Sequence, residues 1–130
     1  MHCYLVILLM LFSQILQAGD KEYDACMSNS ETNYDYSSCG EAYLERLDSK
    51  LNLVWRDIYS THSESRHLLL EEQRKWIPFK ESSCRYLADT SAYGTAGRDI
   101  YFYECRSKII QQRIKELQES TQYGCGLDGC

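Results

Sequence analysis

From Ala42 to Tyr59 the apolar positions Ala42, Tyr43, Leu44, Leu47, Leu51, Val54, Trp55, Ile58 and Tyr59 recur at three- and four-residue steps, with charged residues between them. That period is the signature of an amphipathic helix, here over about Gly40 to Ser60. Glu41 and Glu45 stand near its start, where the helix dipole favours negative charge. SerThrHisSerGluSer at 60 to 65 breaks the pattern and offers hydroxyl caps for a second helix. Leu69, Gln73, Trp76, Ile77, Lys80, Cys84 and Leu87 share one face of that helix, with Trp76 expected in the core. Pro78 lies within it and removes a backbone donor, so a kink is expected, with the Arg74 carbonyl freed. The segment 88–97 carries two glycines and small or polar residues and reads as a loop of about ten residues. A third helix follows from about Arg98 or Asp99 to Gln118, its face built from Phe102, Tyr103, Ile109, Ile110, Ile114 and Leu117.

The stretch from Asp20 to Ser38 is polar and suggests one short helix, around Tyr23 to Ser28, followed by a loop. The tail from Gln122 to Cys130 has three glycines in its last seven residues and is expected to be non-helical. There is no strand-like alternation of useful length and no internal repeat. The fold class is therefore all-α: a small disulfide-stapled helical domain of three main helices plus a short N-terminal helix. At 130 residues with 44% apolar content, the chain can bury one modest core.

Residues 1–18, MHCYLVILLMLFSQILQA, contain no charged side chain and carry an apolar run from Tyr4 to Phe12. They have the shape of a secretory signal cleaved near Ala18 or Gly19, the run being short for a full membrane span. The organisation is then a signal at 1–18, a helical domain at 20–120 and a C-terminal tail at 121–130. Periplasmic or secreted localisation follows, with no stable membrane insertion once the signal is removed.

The mature chain keeps a net charge of −5 and six cysteines, Cys26, Cys39, Cys84, Cys105, Cys125 and Cys130. An even count in a short exported chain points to disulfides. Six cysteines allow fifteen pairings, and spacing alone does not choose among them. If the second and third helices are antiparallel neighbours, Cys84 and Cys105 fall at one end of the pair. Cys26 with Cys39 would hold the short helix to the next, and Cys125 with Cys130 would close a small ring.

No C-x-x-C pair suggests zinc, and no cofactor is implied. The acidic surface disfavours nucleic acid and favours a basic protein partner. His62 and His67 are five residues apart and read as solvated turn residues. Glu71 and Glu72 are adjacent and point apart, whereas paired acid and base chemistry needs carboxyls facing across a cleft. These residues do not form an enzyme site. Arg113, on or beside the apolar face of the third helix, needs a partner, and an ion pair with Asp48 or Glu72 is expected. Recognition is better sought in the loop at 88–97, with Tyr93 and Thr95, and in the tail, with Leu127 and Asp128. A ring closed beforehand lowers the ordering cost of binding.

LeuAsn at 51 and 52 with Trp55, then Leu70, Gln73, Trp76 and Cys84, then Cys105, Arg113 and Leu117 form a pattern that resembles the LprI-like lysozyme inhibitor family. The resemblance spans about Cys26 to Leu117. It implies a small exported, disulfide-bonded helical domain of the bacterial cell envelope, whose named member inhibits lysozyme. It also implies the pairings Cys26 with Cys39 and Cys84 with Cys105, while Cys125 and Cys130 lie outside the pattern. The chain departs from the family at Pro78, where many relatives have a basic residue, and at GlyThrAlaGly 94–97, where they have Gly-Gly-Ser. It also lacks the lipid-bearing cysteine of the named member. No inhibitory residue carries over. The expected function is binding of a lysozyme-like muramidase, with basic lysozyme as partner and occlusion as mechanism. A structural or assembly factor of the cell envelope, or an immunity protein against another toxin, is the rival expectation.

Overall fold

The computed structural model describes residues 20–89 and 94–123. The segments 1–19, 90–93 and 124–130 lie outside the described residues, and with them Tyr93, Cys125, Leu127, Asp128 and Cys130. Four helices and no strand occur among the described residues: α1 Lys21–Ser28, α2 Asn33–Thr61, α3 Arg66–Asp89 and α4 Gly94–Tyr123. The all-α architecture with one short and three long helices is as the sequence pattern indicates, but the long helices are longer.

α2 begins seven residues before the expected start. Apolar periodicity is thin over its first two turns, so its beginning is set by hydrogen bonding instead. Thr32 is the N-cap and its hydroxyl oxygen accepts from the Asp35 N–H, while the Asp35 carboxylate accepts from the Thr32 N–H. This reciprocal box satisfies donors that the first turn would otherwise leave orphaned. α1 is capped in the same spirit by Asp20, which accepts from the Tyr23 N–H at 2.9 Å. At the other junction α3 runs to Asp89 and α4 starts at Gly94, so the loop expected over 88–97 is helical at 88–89 and 94–97. Gly94 has φ +71°, a conformation that a side chain would strain. α4 also continues through Gln122 and Tyr123, the first two residues of the tail expected to be non-helical.

α3 passes through Pro78 without interruption, and Pro78 is exposed. Solvent is therefore at hand for the carbonyl that proline leaves unpaired. Its inner face matches expectation at Leu69, Gln73, Lys80 and Cys84, but not at Ile77, which is 46% exposed. The side chain of Leu87 lies outside the described residues. Trp76 is only partly buried and packs on the core from its edge. One reason is that α3 shares its inward face with long polar side chains: Lys80 lies 5.6 Å and Arg113 5.8 Å from the Trp76 ring centroid.

The core joins Tyr43, Leu44, Leu47, Leu51 and Ile58 of α2 to Ile110, Ile114 and Leu117 of α4. α4 packs extensively along both α2 and α3, whereas α2 and α3 have little direct contact and α1 lies on α2. Ser37 bonds to Asp99 near one end of the bundle, and Ile58 approaches Ser120 at the other, so α2 and α4 run parallel. α3 is antiparallel to α4, because Glu81 meets Arg106 and Glu72 meets Arg113. Gly40 permits the close approach of α2 and α4: a Cβ there would overlap the Tyr103 ring.

Among the described residues two disulfides bind this frame, Cys26–Cys39 between α1 and α2 and Cys84–Cys105 between α3 and α4. Each closes a loop whose entropic contribution is about 3 kcal/mol in the chain-entropy account.

Candidate functional site

The cysteine bond, aromatic stacking and ion pairing together fix α1, which contributes no fully buried residue. Tyr23 stacks on Tyr43 at 4.6 Å between centroids. Arg46 reaches from α2 to Asp20 at 3.0 Å and Glu22 at 3.1 Å. Burial works to raise the Asp20 carboxyl, but the Tyr23 N–H and the hydrogen bond and charge of Arg46 outweigh it and hold its pKa below the ordinary 3.8. Burial raises the Tyr43 phenol, with the Asp20 charge adding to it, so that phenol stays a neutral hydrogen-bonding group, accepting from the Gln111 amide at 2.6 Å.

The surface built around this junction is strongly acidic. Residues 20–48 contain eight carboxylates, from Asp20 to Asp48, and two cations, Lys21 and Arg46. The rest of the chain carries twelve cations and eleven carboxylates, so the whole net charge of −5 originates in this one segment. Asp20 and Glu22 are paired with Arg46, Asp48 with Lys80 at 3.2 Å, and Asp35 serves the α2 cap. Asp24, Glu31 and Glu45 are exposed and make no ion pair among the described residues. Glu41, also exposed, accepts from the Tyr103 hydroxyl at 3.4 Å. A shallow concavity of about 520 Å³ between α1 and α2 brings the carboxylates Glu22 and Glu45, the cations Arg46 and Lys50 and the 63% exposed Leu53 together.

Helix order brings aromatic side chains to the same end of the bundle. Tyr34 near the start of α2, Tyr86 near the end of α3 and Tyr101 near the start of α4 are 80%, 73% and 45% exposed. Tyrosine offers large contact area with a polar tip and is enriched at protein interfaces. Thr95, exposed in the first turn of α4, belongs to this end as well. The tail that carries Leu127 and Asp128 leaves from the opposite end, after Tyr123. The rise of α4 puts the helix positions of Thr95 and Tyr123 about 42 Å apart. Of the four residues singled out for recognition, Thr95 lies among the described residues, and Tyr93, Leu127 and Asp128 lie outside them.

The remaining candidates for chemistry are occupied by structure. Arg113 is buried and donates to Glu72 at 2.7 Å and to Gln73 at 3.1 Å. Of the two partners expected for it, Glu72 is the one used, while Asp48 goes to Lys80. Glu71 binds Lys75 at 2.6 Å, and this neighbour lowers its pKa. His62 ends α2 and shares contacts with Thr61 and the Ile58 carbonyl, while His67 is exposed in the first turn of α3. Among the described residues no three His, Cys, Asp or Glu side chains group as a metal site, and no helix is long and apolar enough to cross a membrane.

Read from sequence, 20–48 divides between a short helix and loop over Asp20 to Ser38 and the start of the next helix, so its charge is not counted as one block. Counting carboxylates by segment is the signal that finds it.

The fold and its surfaces define a small disulfide-stapled helical bundle. The chain belongs to the lysozyme inhibitor LprI family, whose family model matches residues 24–117 and so takes in both disulfides and the core. No curated protein and no solved structure matches it.

Proposed function

We propose that the protein inhibits a lysozyme-like muramidase outside the cytoplasm, by occluding its cleft and without chemistry of its own. Membership of an inhibitor family supports the activity, and the concentration of the entire net negative charge in residues 20–48 is the observation that carries the contact surface. Lysozymes of the c type are basic. Opposite charge steers encounter and raises the association rate, an effect that salt weakens. The carboxylates Asp24, Glu31 and Glu45 supply charge to this surface, and Tyr34, Tyr86 and Tyr101 supply area.

A cell-wall lysis assay with the purified oxidised protein tests the proposal. Inhibition should weaken as salt rises from about 0.05 to 0.5 M. The combined variant Asp24→Lys, Glu31→Lys, Glu45→Lys should keep its melting temperature, because none of the three makes an ion pair, and should lose at least about tenfold in association rate. Full activity of that variant would remove the acidic end as the contact surface. Failure of the wild-type protein to inhibit any of several lysozymes would remove the activity itself.

A further inference from the structure

Between α3 and α4 a concavity of about 450 Å³ is lined by Trp76 and Phe79 of α3 and by Lys108, Ile109, Gln112 and Glu116 of α4. None of its lining residues belongs to α1 or α2. Phe79 is 55% exposed and Ile77 46%, and with Pro78 they make three successive exposed apolar residues in the middle of a long helix. The fold leaves this run unburied, and such a run on a surface helix marks a contact site.

The charges along this groove have an order. Lys108 and Glu116 stand on either side of Gln112, each about 6 Å from it along the helix axis. Lys108 is exposed and makes no ion pair among the described residues. Glu116 accepts from the Gln112 amide at 3.0 Å and lies 4.0 Å from Arg113, whose guanidinium already binds Glu72 at 2.7 Å. The register of α3 against α4, set by Glu72 on Arg113 and by Cys84 on Cys105, brings Trp76 level with Gln112 and Phe79 level with Lys108. A surface that complements this groove carries the same two charges in reverse order, with an apolar side chain about one turn from its centre. An antiparallel second copy of the chain is such a surface.

We propose that two copies of this chain pack antiparallel through their α3–α4 grooves, about a twofold axis at the level of Gln112 and Trp76. Lys108 of each copy then faces Glu116 of the other, and Phe79 of each enters the concavity beside Trp76 of the other. The contact is self-complementary, as a twofold interface must be. Two helices a side is small for a specific interface, so the pair is reversible and depends on concentration. No residue of 20–48 lines the groove, and the antiparallel order puts the two acidic surfaces at opposite ends of the dimer. This inference stands apart from the proposed inhibition, because its readout is the protein alone.

Sedimentation velocity of the purified oxidised protein over a concentration series tests it. The sedimentation coefficient should rise with concentration towards that of a dimer. Lys108→Glu alone, or Glu116→Lys alone, sets like charges face to face at both contacts and should weaken the dimer by about tenfold or more. An equimolar mixture of the two variants should recover it. In the mixed pair one copy carries acid at both positions and the other carries base, so each contact is again an opposite pair. Phe79→Ser should weaken the dimer as well, with Tm near that of the wild type because Phe79 is exposed. If Glu116→Lys lowers Tm through its proximity to Arg113, Lys108→Glu and Phe79→Ser decide the outcome. A protein that stays monomeric up to about 1 mM overturns the proposal. So does a dimer that survives Phe79→Ser and the charge reversals, or a mixture of stable variants that associates no better than its components. A monomeric wild type whose inhibition of lysozyme is weakened by Phe79→Ser overturns it too, in favour of a groove that takes a different protein.

Discussion

At Gly40 α2 comes up against α4 with no room for a side chain, and its neighbour there is the base of the Tyr103 ring rather than a flexible chain end. A methyl group cannot be accommodated by swinging a side-chain tip away; the ring or the helix must move. Gly40→Ala should therefore lose stability, by about 1–3 kcal/mol, despite the gain of about 1 kcal/mol that alanine brings to a helix interior. Chemical denaturation checks this, and adding Tyr103→Leu should recover part of the loss if the ring is the obstacle. Nothing in the apolar pattern marks Gly40, since a close approach belongs to two helices at once. Arg113 was half legible for a related reason. Periodicity placed it at the edge of an apolar face, but the choice of Glu72 over Asp48 depends on the register between α3 and α4. Trp76 was placed on the correct helix face, and its partial exposure follows from Lys80 and Arg113 occupying the space beside it.

Among the elements, the central parts of the three long helices were readable because their buried positions recur at helical spacing. Their ends were not, because ends are decided by caps. ThrAsnTyrAsp at 32 to 35 contains the α2 start signal, but it lies in polar sequence where the apolar pattern gives no reason to look. The same caps make the helix starts sensitive to acid. Asp35 is held below its ordinary pKa of 3.8 by the Thr32 hydroxyl and the backbone N–H groups of Thr32 and Glu31. Asp20 is likewise lowered, its Tyr23 and Arg46 contacts overcoming burial. A carboxyl with a depressed folded-state pKa contributes stability above its unfolded value, near 3.8 here, and loses it as pH falls through the lower folded value. Tm should therefore decline as pH drops below about 4. Circular dichroism melts across pH 7 to 2 check this, and Asp20→Asn with Asp35→Asn should flatten the decline.

For the molecule as a whole, the two disulfides do different work. Cys26–Cys39 ties down α1, which has no fully buried residue, so Cys26→Ala with Cys39→Ala should release α1 while α2 to α4 remain folded. Exchange of the α1 amides as in an unfolded peptide is the expected reading. Cys84 is fully buried and its bond joins α3 to the helix that carries Ile110, Ile114 and Leu117 of the core. Removing Cys84 and Cys105 should lower Tm by about 10 °C or more, taking roughly 3 kcal/mol for the closed loop. The distribution of charge was legible in the sequence from the beginning, since residues 20–48 are contiguous. The fact that α1, the start of α2 and the tyrosines of three helices share one end required the bundle.

The packing of α4 between α2 and α3 also bears on how the chain is made. Of the described helices α4 is synthesised after α2 and α3, which have little contact without it. A nascent chain that has completed α3 still lacks Ile110, Ile114 and Leu117, and the partner that Cys84 bonds. Stable folding of the bundle must wait for α4 to emerge, although domains usually fold as units while synthesis proceeds. Such a delay leaves the apolar faces of α2 and α3 without their main packing partner until α4 has emerged, which is when the nascent chain is most open to chaperones and proteases.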